Sequence, residues 1–170
     1  MPSLYRRILG PKLDWLPDNL RRFHDRVCGE AAGAVQVTRG QGCLCNWLAD
    51  ILGLPAPGRD VPVSVRFHKT AKGEHWCREF GSNRLVSEQW QDGELLIESV
   101  GPMRLGFRLV ASEEGIEFQH VRSWLWRLPL GRLFRVHAIA LGEAEGWQIR
   151  VQVKTCRGLL IHYEGKVVGR

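Results

Sequence analysis

"VTRGQGCLCNWLADILGLP", residues 37–55, decides which kind of fold the chain can build. A β-prone run, Ala34 to Thr38, leads into Gly40-Gln41-Gly42. Leu44, Trp47, Leu48, Ile51 and Leu52 then recur at helical spacing, and Gly53 and Pro55 stop the helix. A strand, a Gly-x-Gly turn and a helix also open a dinucleotide-binding unit, so the turn has to be tested as a phosphate cradle. That cradle needs a third small residue where the helix meets the strand, and Cys45 stands there. The acid that would hold a ribose should end the next strand, whereas Asp60 precedes Val61–Phe67. The turn therefore reads as a corner followed by a core-packing helix.

Downstream of Val61 the apolar period becomes two, and short turns separate the segments: Lys72-Gly73, Asp92-Gly93, Glu114-Gly115 and Glu145-Gly146. Strands are expected near 61–68, 74–80, 84–91, 94–100, 104–111, 115–124, 136–143, 146–155 and 158–167. Upstream, Leu16, Leu20, Phe23 and Val27 form a helical stripe after Pro17. The expected fold class is α+β: a curved, mostly antiparallel sheet of about eight to nine strands, with N-terminal helices and one amphipathic helix packed on it. Residues 1–170 are expected to form a single domain, comprising an N-terminal helical segment 1–28, a strand-turn-helix 34–55 and antiparallel strands 61–168.

Composition excludes several classes. With 44% hydrophobic and 25% charged residues in 170, the chain can bury a sizeable core and is not expected to be disordered. No run approaches the ~18 apolar residues of a membrane helix, and Met1–Gly10 lacks the apolar core of a signal peptide, so a cytoplasmic location with no transmembrane segment is expected. Five cysteines, scattered and odd in number, suit reduced thiols better than zinc or disulfides. The net charge of +6 is spread over single arginines without a nucleic-acid-binding motif, so nucleic acid is not the expected partner.

With these segments placed, "LYRRILG" (4–10), the Gly40–Gly42 turn with "LGLP" (52–55), "DVPV" (60–63), "WCREF" (76–80), "ESVGP" (98–102) and "YEG" (163–165) together resemble the bacterial family catalogued as domain of unknown function 4166. The resemblance implies an accessory domain, found alone or behind an NAD(P)-binding dehydrogenase- or epimerase-like domain. Such a protein is therefore the implied partner.

Two mixed faces carry the chemistry. In "EHWCREF", Trp76, Arg78 and Phe80 share a strand face with Glu74, and an arginine between aromatics must stack, pair or line a polar spot. Glu98 is its nearest partner in a meander, with Glu88 as competitor. His75, Cys77 and Glu79 on the other face span about 13 Å, too far for one ion, so no metal is expected. In "IEFQHVRSWLW", strict alternation puts Phe118, His120, Arg122, Trp124 and Trp126 on one face, and Tyr163 can supply a hydroxyl from the last strand. The candidate ligand-binding residues are Trp76, Arg78, Phe80, Glu98, His120, Arg122 and Tyr163, with no catalytic residues and no cofactor.

A non-catalytic module follows, binding a small apolar or anionic molecule or a lipid, or else a protein. As a cup it would need a cavity of about 300 Å³ or more. The alternative is an enzyme using Arg78 as anion holder, Glu98 and His120 as acid/base groups and Tyr163 as hydroxyl donor, which requires the four to converge.

Overall fold

A computed structural model describes residues 2–170, with the side chains of residues 43–45 and 132 outside the description. Three short helices, α1 (Leu4–Leu9), α2 (Asp18–His24) and α3 (Cys43–Ile51), accompany eleven strands. The strands are β1 (Cys28–Arg39), β2 (Gly58–Lys69), β3 (Glu74–Phe80), β4 (Asn83–Asp92), β5 (Leu95–Val100), β6 (Met103–Ala111), β7 (Gly115–Leu125), β8 (Leu128–Pro129), β9 (Phe134–Gly142), β10 (Trp147–Thr155) and β11 (Gly158–Gly169). A 3₁₀ segment, Gly10–Trp15, links α1 to α2.

The expected α+β class is overturned. Strand accounts for 60% of the chain against 16% helix, and ten of the strands close into an antiparallel barrel, with β8 as an extra strand beside β7. The open curved sheet with helices packed on it does not form, because its two edges find each other. β1 pairs with β11 from Ala31↔Gly169 to Arg39↔Ile161, and β6 and β9 both pair with β7. Every backbone ladder thus ends on another strand of the same chain, which removes the exposed edges that an open sheet would have to protect. Apart from the extra strand β8, successive strands are neighbours, so the barrel is an up-and-down meander.

β1 is the element that makes closure possible. The sequence reading placed only Ala34–Thr38 in a strand, yet the strand runs for twelve residues and buries Ala31, Val35 and Val37. Two glycines seat it against β11. A Cβ on Gly33 would lie 1.9 Å from the Lys166 carbonyl oxygen, and one on Gly165 would lie 2.1 Å from that of Ala34. β1 and β2 are antiparallel neighbours, so the segment from Val37 to Pro55 is a hairpin connection carrying a helix. The parallel crossover of a nucleotide-binding unit is absent from it.

The barrel has an apolar inside and a charged outside. Strand faces pointing outward carry the pairs Arg66–Glu79 and Arg150–Glu164, each at 3.0 Å. This is the reverse of a membrane-spanning barrel, whose outer band is apolar. Among the described residues, no helix is long and apolar enough to cross a membrane.

One end of the barrel is plugged from the N-terminus. Leu4, Tyr5, Leu9, Leu13, Leu16, Leu20 and Phe23 are all buried there. α3 lies at the other end and packs against β11. Its apolar stripe divides: Leu48 and Leu52 pack on the core, but Trp47 and Ile51 face solvent. The expectation that the whole stripe packs inward is corrected on this point, and Leu44 lies outside the described side chains.

Candidate functional site

The interior of the barrel holds a cavity of about 210 Å³, running from Tyr5, Phe23 and His24 at the plug to Leu52, Leu54 and Pro55 beneath α3. The volume is below the ~300 Å³ that a cup was expected to need, so the expectation of a lipid- or drug-sized cup is not met and any occupant is smaller. Apolar side chains dominate the walls, including Val63, Val65, Leu105, Val136, Val151 and Val153.

One polar cluster interrupts these walls. Strand alternation brings Glu74, Trp76, Arg78 and Phe80 of β3 to the inner face, with Ser87 and Gln89 of β4 and Glu98 of β5 beside them. Arg78 Nη1 lies 2.9 Å from Glu98 Oε1 and donates to Ser87 Oγ at 2.8 Å. Ser87 Oγ and Gln89 Nε2 in turn donate to the same Glu98 oxygen at 2.7 and 3.2 Å. Tyr5 of α1 donates its hydroxyl to Gln89 Oε1 at 3.1 Å, so the network ties the plug to the wall. The guanidinium also sits 5.1 Å from the Trp76 ring centroid. The competing partner, Glu88, points outward and meets His75 Nδ1 at 2.6 Å.

Both members of the pair are ionised. Burial alone would push Glu98 up, but the Arg78 guanidinium and the donated hydrogen bonds hold its carboxyl below the ordinary value. Burial opposes the charge on Arg78, and Glu98 more than restores it. Tyr163, on the same cavity, is pushed up to about 12 by burial. His24 at the plug is driven down to about 3 by burial alone, and its Nδ1 has no hydrogen-bond partner. The His24 ring lies tilted against that of Tyr5, with centroids 4.2 Å apart, and lines the same cavity.

Five of the seven candidate residues thus share one space: Trp76, Arg78, Phe80, Glu98 and Tyr163. His120 and Arg122 are not among its lining, and for Arg122 the cause is a single irregularity. β6 and β7 pair Gly106 with Arg122 but Phe107 with His120, so Val121 is an extra residue in β7. A bulge of one residue reverses the face of everything beyond it. Past Val121, Ser123 is buried and Leu125 packs on the core, whereas Arg122 stacks 4.9 Å over Trp124 and reaches Asp92 at 2.9 Å on the outer wall. Strict alternation from Phe118 to Trp126 is therefore corrected. His120 sits before the bulge beside Phe107, with its Nε2 unpartnered.

Tyr5, His24, Ser87 and Gln89 escaped the sequence reading. β4 presents Ser87 and Gln89 inward and Val86 outward, so its hydrophobic pattern names no inner face. Tyr5 and His24 come from helices whose stripe announces packing only. Among the described residues, no group of three His, Cys, Asp or Glu could hold a metal ion.

A closed antiparallel barrel of ten strands, with a small cavity among the described residues, defines a class of compact up-and-down barrels. Within that class, residues 16–167 match the family described as Domain of unknown function (DUF4166), and the chain belongs to it. The "LYRRILG" segment at 4–10, and with it Tyr5, lies ahead of the matched range. No curated protein and no solved structure matches the chain.

Proposed function

We propose that the protein is a non-catalytic binding module whose barrel receives a small, mostly apolar molecule with one polar head. The observation that carries this reading is the cavity itself: apolar walls around a single, internally paired polar cluster at Arg78 and Glu98. Pockets of this kind fix orientation with a few polar groups and gain affinity from the walls. Because Arg78 and Glu98 are both charged, an anionic head would meet the carboxylate as well as the guanidinium. A neutral hydroxyl, carbonyl or amide suits the cluster better.

The direction in which burial and neighbouring charges push each group supports a binding role over a catalytic one. A general acid or base works best with a pKa near the operating pH. Glu98 is held below its ordinary range, Tyr163 is raised to about 12 and His24 is lowered to about 3. His120, the imidazole of the enzyme alternative, is not among the cavity-lining residues. The module is proposed to act in the cytoplasm beside an NAD(P)-binding dehydrogenase- or epimerase-like partner, as the family resemblance implied.

Thermal melts with three probes of similar size and different heads test the reading. Benzyl alcohol should raise the Tm in a concentration-dependent way, toluene less, and benzoate least. Benzoate as the strongest stabiliser would overturn the neutral head. No shift with any of the three would overturn the binding role.

A further inference from the structure

The two rims of the barrel differ in chemistry, and the difference is independent of what fills the cavity. Ends of an antiparallel meander alternate between rims, so the connections 70–73, 93–94, 112–114 and 143–146 lie at the plugged end. The connections 40–57, 81–82, 101–102, 126–133 and 156–157 lie at the α3 end. The plugged-end turns carry Glu94, Glu113, Glu114, Glu143 and Glu145 with Lys72, and the plug helices add Arg6, Arg7, Lys12, Arg21 and Arg22, so that end is mixed in charge. In the α3-end connections Asp50 is the one acid, and Arg39 holds it at 2.7 Å. From Gln119 to Gly142 the sequence has four arginines and no acid.

The α3 rim also exposes large apolar side chains. Trp126 is 68% exposed, Leu128 67%, Trp47 61%, Leu133 57% and Ile51 56%. Exposed arginines stand among them, at Arg127, Arg104 and Arg157. Trp126 has φ +53°, the left-handed region that a bulky side chain occupies only at a cost, and solvent exposure repays none of it by packing. The Trp126–Leu128 hairpin is held up by the Trp126 amide, which donates to the Pro102 carbonyl at 2.7 Å.

We propose that the α3 rim docks on an anionic bilayer surface. Tryptophan and leucine side chains enter the headgroup boundary there, arginines meet lipid phosphates, and the plugged end points away. Charge complementarity selects this occupant: a rim with exposed Arg59, Arg104, Arg127 and Arg157 against the paired Asp50 and the exposed Asp60 suits a surface that is negative over a wide area. The barrel remains outside the bilayer, and the ion pairs on its wall stay in water.

Co-sedimentation with vesicles tests the proposal. The parent protein should bind phosphatidylcholine vesicles containing phosphatidylglycerol, bind vesicles of phosphatidylcholine alone far less, and release when salt is raised. Arg127→Ala should weaken partition about fivefold, and Trp126→Ser with Leu128→Ser should weaken it more than tenfold. Val110→Ser, an exposed apolar position on the barrel wall, should change nothing. Should the double variant fail to fold, Arg127→Ala still decides. Absent binding to the anionic vesicles, binding insensitive to the rim substitutions, or an equal loss with Val110→Ser would overturn the proposal. So would a Trp126-dependent dimer in gel filtration with no vesicle binding, which would make the rim a contact between copies.

Discussion

Removing Arg78 alone leaves the Glu98 carboxylate ionised inside the barrel with only Ser87 and Gln89 to hold it. Arg78→Ala is therefore expected to cost ~3–5 kcal/mol in urea unfolding, whereas Arg78→Met combined with Glu98→Leu should recover much of the loss. Arg78→Lys should fall between them, because an ammonium cannot reach Ser87 and Glu98 while lying flat on Trp76. An alanine variant as stable as the parent would contradict a buried pair. His24 gives a second test through pH. An imidazole lowered from 6.5 to about 3 on folding is protonated in the unfolded chain but not in the folded one between those values. Stability from this group is fully present above pH 6.5 and falls by about 1.4 kcal/mol per unit as pH drops through that window. Glu74 acts in the opposite sense: burial raises its carboxyl above 4.5, so its contribution is present at low pH and is lost as pH rises past that value. Comparing the parent with His24→Phe, which keeps the ring contacts to Tyr5, Phe23 and Trp76, isolates the histidine slope. Identical slopes in the two proteins would show that the imidazole is hydrated.

The seam between β1 and β11 is the element on which closure depends. At Gly165 an added Cβ would meet the Ala34 carbonyl oxygen and the Val35 Cα at 2.1 and 2.6 Å, both backbone atoms that cannot turn aside. Gly165→Ala should therefore cost at least the ~1–3 kcal/mol typical of overpacking. Hydrogen exchange should speed up first at the β1 and β11 amides, and an unchanged exchange pattern there would contradict the seam. The strands after Val61 were legible because each repeats an apolar position every second residue between turn residues. Their segments fall within a few residues of β2–β7 and β9–β11. β1 was legible only in part, since "CGEAAGAVQVTR" is rich in glycine and alanine, which carry little β-propensity. Missing its first half left one sheet edge without a partner, and the barrel was read as an open sheet. The bulge at Val121 was also illegible, because nothing in "FQHVRSW" distinguishes an extra residue from regular alternation. In the candidate site the Arg78–Glu98 pair followed from alternation and meander order, whereas the contributions of Tyr5 and His24 depend on how the plug enters the barrel.

At the scale of the whole molecule, closure converts a sheet with one buried face into a wall around a cavity of about 210 Å³, plugged by α1 and α2 and overlain by α3. Arg39 fixes that overlay from the end of β1. Its guanidinium donates to the carbonyls of Leu54 and Pro55 and pairs with Asp50 of α3. Narrowing the space from Ala138, a small residue on its wall, offers a variant that takes up part of the cavity and leaves the polar cluster intact. Ala138→Leu should gain about 0.5–2 kcal/mol of stability while weakening the response to ligand. The most direct measurement is a titration of benzyl alcohol followed by the methyl resonances of Val65, Leu105, Val151 and Val153, in the parent and in Ala138→Leu. The binding-module reading predicts saturable shifts of these cavity methyls in the parent, and shifts that saturate only at higher concentration in the narrowed variant. Cavity methyls that stay still in the parent, or saturation at the same concentration in both proteins, would contradict it.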